Sequence, residues 1–312
     1  MRLLLALLLV LALHVSAQAR WLVSSGLRGH VESMVATSRV ALAGTLGHGL
    51  YRSFDQGVTW TPLGFAGDYV SALAGRGLTL YAAVQRCSVQ GICRKLGVYY
   101  SSDGGNSWAP AGLAGHYITA LAVAPGPRAK VYAATLSGLW VATSGAWDWG
   151  RRFAAQALDV AVRRGAPSWV MVGTTRGLWL SSDGGRSWRV LALGNGYLPA
   201  VAFGPGSLLL AGSSSCDNAG CTGQIFRSAD GGSSWVAENV QAGIDRLQVD
   251  PWDPSRVVAG SYVNGLFISY NGAQSWINTS PDPYNYDVTG ASFTPQHLLV
   301  GLFGDPAYWE VP

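Results

Sequence analysis

The sequence predicts an all-β protein, a seven-bladed β-propeller with four antiparallel strands per blade, on three observations. First, an octapeptide of the form S-x-D-x-G-x-[ST]-W returns along the chain. It stands at residues 53–60 (SFDQGVTW), 101–108 (SSDGGNSW), 181–188 (SSDGGRSW), 228–235 (SADGGSSW) and, eroded, 269–276 (SYNGAQSW). Second, its tryptophans are evenly spaced: 48 residues from Trp60 to Trp108, 47 from Trp188 to Trp235 and 41 from Trp235 to Trp276. Such a period, with four short strands per unit, is the mark of a propeller. Third, the composition is 49% hydrophobic and 12% charged, with 41 glycines in 312 residues. That suits many short strands joined by tight turns.

The chain opens with a targeting pattern. Arg2 precedes an apolar run over residues 3–15, and Ala17-Gln18-Ala19 has the small-x-small form of a signal-peptidase site. The run is shorter than the roughly 20 residues a membrane-spanning helix needs. Residues 1–19 are therefore expected to be a signal peptide and residues 20–312 a single propeller. The expected location is the periplasm or the extracellular space, with no transmembrane segment in the mature chain. Signal and compositional bias read as bacterial. A formal charge of +4 gives no concentrated basic face, so no nucleic-acid partner is expected.

Within each octapeptide the Asp can cap the amides of a tight turn, and Gly permits the positive φ it needs. The Trp then covers an apolar seam, its indole N–H free to find a partner. Asp55, Trp60, Asp103, Trp108, Asp183, Trp188, Asp230, Trp235 and Trp276 are accordingly read as scaffold. The 80 residues between Trp108 and Trp188 are two periods, which places a degenerate copy at Trp147-Asp148-Trp149.

Aligned on these anchors, inner strands begin near Val31, Val70, Ile118, Leu158, Leu198, Ile244 and Val288. Small residues such as Ala120, Ala122, Ala200 and Ala202 sit where seven sheets converge. The last unit holds three strands before the chain stops. The missing fourth is expected from residues 20–30, which read like residues 107–116. This closes the ring and leaves no free edge between first and last blades.

Four cysteines form two local pairs, Cys87 with Cys93 and Cys216 with Cys221. In an exported chain such pairs close disulfide loops. Zinc is the rival, but no histidine lies near either pair and the spacing is not C-x2-C. No metal and no cofactor are expected.

In a four-stranded blade, the loops leading into the inner strand share one face with those joining strands two and three. The octapeptides lie on the other. Both cysteine pairs fall on the first face, in blades two and five. His30, Asp68, Tyr69, His116, Tyr117, Tyr197, Arg246 and Tyr286 lead into inner strands there and are read as a binding face. Glu32, Asp68, Asp159 and Asp245 are the carboxylates that approach the channel mouth.

The octapeptide resembles the Asp-box of bacterial-neuraminidase-type repeats, and the resemblance runs over nearly the whole expected mature chain. It implies a propeller of the kind found in sialidases, xyloglucanases, sortilin-type receptors and photosystem II assembly factors. A sialidase resembles six blades with an arginine triad, whereas this chain has seven units, no Arg-Ile-Pro segment and three glutamates after residue 19, Glu32, Glu238 and Glu310. Xyloglucanases resemble two propellers forming a cleft, whereas this chain holds one. By architecture the assembly factors are the nearest analogy. The reading is an exported, non-catalytic binding or assembly scaffold of the cell envelope, with an envelope or membrane protein, or a glycan, as partner. The alternative is a glycoside hydrolase using paired carboxylates, about 5 Å apart for retention and 6.5–9.5 Å for inversion. No G-x-S-x-G appears and the five histidines are scattered, so nucleophilic and metal chemistry find no constellation.

Overall fold

The computed structural model describes residues 20–88, 90–126, 129–193, 196–217, 220–238, 240–281, 287–304 and 307–311. The expected signal segment, and Tyr284 and Tyr286, lie outside the described residues. Seven four-stranded antiparallel sheets are present, with a two-stranded ribbon, Ser215–Asp217 and Gly220–Thr222, between strands two and three of blade five. The inner strands are Val31–Ala36, Tyr69–Arg76, Ile118–Val123, Ala157–Val162, Ala200–Phe203, Ile244–Val249 and Val288–Phe293. Each packs against the next, and the seventh against the first, so the sheets form a closed ring. No helix among the described residues is long and apolar enough to cross a membrane.

Closure follows the sequence. Arg20–Val23 pairs antiparallel with Tyr308–Val311, in the register Arg20 to Val311 and Trp21 to Glu310. The first and last of the described strands thus share the seventh blade, and their pairing covers what would otherwise be an open edge.

The second strand of each blade carries a buried apolar run, because blades pack against both of its faces. Val170–Thr174, Val257–Ser261 and Leu298–Leu302 are buried at every position. A small residue recurs where the next inner strand passes close by. A Cβ at Gly301 would stand 2.6 Å from Cβ of Val31, and one at Gly173 would stand 2.2 Å from the Leu198 carbonyl oxygen. Blades two and three carry Ala83 and Ala134 there, both fully buried. At the end of the same strand, the hydroxyls of Thr45, Thr135 and Thr174 each donate, at 2.7 Å, to the carbonyl of the glycine at or just before the start of the third strand.

The octapeptide turns share one hydrogen-bond set. Asp103 Oδ1 accepts from the Ser101 hydroxyl at 2.7 Å and the Ser107 amide at 3.0 Å, while Oδ2 accepts the Ser107 hydroxyl at 2.6 Å. Asp183 and Asp230 repeat these bonds, and each adds an amide one residue earlier. Ser101 Oγ in turn accepts the amide of Gly105, whose φ is +91°. The indoles behave differently from one another. Trp60 Nε1 donates to Gly57 O at 3.0 Å, but the buried Nε1 of Trp108, Trp188, Trp235 and Trp276 meets no acceptor among the described residues. Packing fixes these rings: Trp108 lies 5.7 Å from Phe65 and Trp188 lies 5.6 Å from Phe153.

Blade three lacks the octapeptide and solves the turn otherwise. Trp149 stands just before the outer strand Gly150–Phe153 and donates to Ala111 O at 2.6 Å. Trp147 packs on Tyr100 and Tyr81, and Tyr81 donates to the Ser144 hydroxyl.

Candidate functional site

The channel is gathered by a bulge that the inner strands share. In six of the seven blades the register between inner and second strand slips near the start. A bulge adds one unpaired residue and re-aims the side chains beside it. At these positions side chains reach across to the neighbouring blade. Ser33 Oγ donates to Val70 O, Ser71 Oγ to Ile118 O, and Thr119 Oγ1 to Ala157 O, each at 3.0 Å. Arg246 Nε donates to Thr289 O at 2.9 Å, and the Thr289 hydroxyl donates to Val31 O. Asp159 belongs to the same belt: its Oδ2 accepts the Val201 amide and its Oδ1 the Val160 amide, both at 2.8 Å.

That belt separates the four candidate carboxylates. Asp159 is engaged by two backbone amides, although burial raises its pKa. Asp68 is buried away from the channel and gripped by Arg86, whose Nε and Nη2 donate to its two oxygens at 2.7 and 2.9 Å. Glu32 and Asp245 line the channel, as Asp159 does, but without two backbone amides bonding them, and Arg246 stands beside them. Burial pushes the Glu32 carboxyl above its ordinary range, opposed by the charges of Arg246 and His30 and by a contact with the Tyr69 hydroxyl. Burial raises Asp245 as well, against Arg246, the Ser214 hydroxyl and the Tyr262 amide.

The aromatic candidates divide too. Tyr69 sits over Glu32 and against Tyr117; burial first, then Glu32 and Tyr117, drive its phenol far above its ordinary pKa. Tyr197 is raised by burial and by Asp245, while Arg246 opposes. Tyr69, Tyr117, Tyr197 and Arg246 therefore belong to one mouth. His30 stacks on Phe303 at 4.0 Å, at the junction of blades one and seven. His116 is held within blade three by Ser137 at 3.0 Å and by Trp140 at 4.8 Å between ring centres. Tyr286 lies outside the described residues.

Both disulfides are formed, Cys87–Cys93 and Cys216–Cys221, in the strand two to strand three connections of blades two and five. They point to an oxidising compartment. Around the same mouth stand exposed apolar side chains that sequence reasoning did not single out: Leu46, Ile92, Leu136, Tyr262, Val263 and Phe303. Each lies in a strand two to strand three connection, and that placement is the signal that could have found them. Among the described residues no group of three His, Cys, Asp or Glu side chains could hold a metal ion.

No protein-family model and no curated protein matches the chain. Solved structures do. YCF48 bound to a D1 peptide matches with TM-score 0.68 and 13% identity, over 95% of this chain and 97% of that one. YCF48 from Cyanidioschyzon merolae matches with TM-score 0.66 and 15% identity, over 94% and 99%. A GH74 xyloglucanase from Xanthomonas campestris gives TM-score 0.71 and 19% identity, over 93% of this chain but 53% of the enzyme. The chain spans about half of that xyloglucanase. These likenesses show the fold.

Proposed function

We propose that the chain is a non-catalytic binding scaffold of the cell envelope, exported by residues 1–19, and that the disulfide-stapled face of the propeller recognises a segment of a protein partner. The five octapeptides support a kinship with Asp-box propellers. The observation that carries the reading is the stapled mouth itself: Tyr117, Tyr197, Tyr262, Val263, Phe303 and Ile92 are all exposed on the face whose channel holds the half-buried Glu32, Asp245 and Arg246. Exposed apolar side chains gathered with an arginine are how protein interfaces are anchored. Full-length likeness to a propeller solved with a bound peptide supports a peptide over a glycan.

The glycosidase reading is less favoured. It needs a proton donor and a second, free carboxylate. Asp68 is held by Arg86 and Asp159 by two amides, which leaves Glu32 and Asp245, both in the field of the Arg246 charge, which favours their ionised form over a proton donor.

Selection from a displayed peptide library tests the proposal. Enriched peptides should bind the wild type and lose affinity when Tyr117, Tyr197 and Tyr262 become Ser. They should be unaffected when Phe54 and Tyr270, exposed on the octapeptide face, become Ser. Equal losses on both faces, or glycan turnover abolished by Glu32→Gln, would overturn the reading.

A further inference from the structure

The channel has a second mouth, on the octapeptide face, and it is built differently. A cavity of about 740 Å³ opens there, walled by the ends of inner strands and the connections that follow them in blades four to six, with Ala36 of blade one and Ser292 and Phe293 of blade seven. A hollow of about 440 Å³ adjoins it and shares Ala36, Val162, Arg164 and Gly165. Volumes of this size hold small organic molecules. Much of the wall is apolar, with Val162, Phe203, Pro251 and Leu247 among its residues.

Its charge is one-sided. Arg163 and Arg164 line the cavity and Arg76 lines the hollow. The single carboxylate of the lining is Asp250, which is already engaged: it lies 3.5 Å from Arg256 and accepts the amides of Trp252 and Asp253.

Arg163 is the decisive side chain. Its guanidinium lies between two rings, with its carbon 4.8 Å from the centre of Trp169 and 4.8 Å from that of Phe203. Its Nε and Nη2 are buried in the wall and meet no acceptor among the described residues. Elsewhere in the molecule the same edge of an arginine, on Arg86, grips both oxygens of Asp68. That edge matches a carboxylate or phosphate bidentately. Two such donors buried without an acceptor cost free energy, and a turn of the Arg163 side chain toward the cavity it lines would let a bound oxyanion supply the acceptor that neither finds in the wall.

We propose that this cavity is a second binding site, for a small organic anion with a carboxylate, phosphate or sulfate head on an apolar body. The head lies among Arg76, Arg163 and Arg164, and the body lies against Phe203, Val162 and Pro251. The site is on the face opposite the peptide-binding mouth and stands whether or not that reading holds.

Isothermal titration with 1-naphthoate and 1-naphthamide, which share a body and differ in the charged head, tests it. Naphthoate should bind at one site, about tenfold or more tighter than the amide. Arg164→Gln, an exposed position that should fold normally, should weaken naphthoate severalfold, and Arg163→Gln at least about tenfold. Arg94→Gln removes the same charge on the stapled face and should change nothing. Inorganic phosphate should compete, weakly for want of a body. Equal binding of the two probes, or unchanged naphthoate affinity in a folded Arg164→Gln variant, would overturn the proposal. A matching loss in Arg94→Gln would also overturn it, by showing attraction to overall charge.

Discussion

The two faces of the ring treat carboxylates in opposite ways. On the octapeptide face, Asp103, Asp183 and Asp230 are solvent-facing. The Ser107, Ser187 and Ser234 hydroxyls, with the backbone amides beside them, hold their pKa values well below the usual carboxylate range. At the stapled mouth Glu32 and Asp245 are half-buried and held above it, mainly by desolvation. The first set recurs from blade to blade and satisfies its own turn. The second is unique to its blades, pays for burial and looks into the channel. Recurrence with complete hydrogen bonding is the signature of scaffold; singularity with incomplete compensation is where binding chemistry is held in reserve.

The largest expected effect comes from breaking the scaffold side. Asp103→Ala, Asp183→Ala and Asp230→Ala together remove at least three acceptor bonds per turn, and should lower the melting temperature more than reduction of both disulfides does. The matched change at the other mouth, Tyr69, Tyr117 and Tyr197 to Phe, should leave it nearly in place. Differential scanning calorimetry of the two triple variants decides; comparable melting temperatures would dissolve the distinction between the faces.

Disulfide reduction should be the next largest. The loops closed by Cys87–Cys93 and Cys216–Cys221 span 6 and 5 residues. Closing so short a loop removes about 2 kcal/mol of denatured-state entropy each. The reduced protein should therefore keep its sheets and melt a few degrees lower. Limited proteolysis should then cut first between Cys87 and Cys93 or Cys216 and Cys221, and leave the octapeptide turns intact. Global unfolding on reduction would mean that the staples hold the ring as well as the face.

How far these features could be read from sequence depends on the bulge. The tryptophan spacing located six of the seven blades, blade three included, where Trp149 stands in the anchor position without an octapeptide before it. The partner strand for the seventh blade was legible from residues 20–30, because an outer strand repeats its neighbours' pattern. The carboxylates were not separable. Glu32 and Asp245 stand one residue into the inner strand, counting from Val31 and Ile244, and Asp159 stands two residues from Ala157. In a regular strand one residue reverses the face. A bulge between those positions breaks the alternation, so sequence spacing alone could not tell a channel carboxylate free of backbone bonds from one, Asp159, tied to the next blade. Asp68 was hidden for another reason: its partner Arg86 is 18 residues away, on the strand that follows its own inner strand.

Proton linkage sharpens the comparison, because the two faces should titrate with opposite sign. A carboxylate whose folded pKa is depressed contributes stability above its unfolded value, near 4, and loses it as pH falls below. One whose folded pKa is raised does the reverse: ionising it costs stability as pH climbs from that unfolded value through the folded one. Glu32→Gln should therefore raise the melting temperature at pH 7, with the gain shrinking toward pH 4. Asp183→Asn should lower it at pH 7, with the loss shrinking below pH 4. Melting curves of both variants between pH 3 and pH 8 suffice, and a shared sign would refute the contrast.

The smallest effect tests the scaffold rule within its own face. In blade six the octapeptide has lost two of its parts: Asn271 stands for the Asp and Ala273 for the second Gly. The turn still forms. Asn271 Oδ1 accepts the amides of Gln274 and Ser275, and the Ala273 amide donates to Ser269 Oγ at 2.9 Å. Ala273 nevertheless holds φ at +64°, where an alanine is strained and a glycine is not. Left-handed backbone costs a residue with a Cβ roughly 1–2 kcal/mol. Against this, the buried Ala273 methyl packs beside Trp276 and Val257, and its loss returns part of the gain. Ala273→Gly should then stabilise the protein by about 1 kcal/mol or less. The mirror change, Gly105→Ala, should cost more, because its Cβ would also stand 2.6 Å from the Leu63 side chain. Chemical denaturation of both variants measures the pair. If Ala273→Gly destabilises, the methyl outweighs the strain, and blade six has replaced the glycine turn by packing rather than merely eroded it.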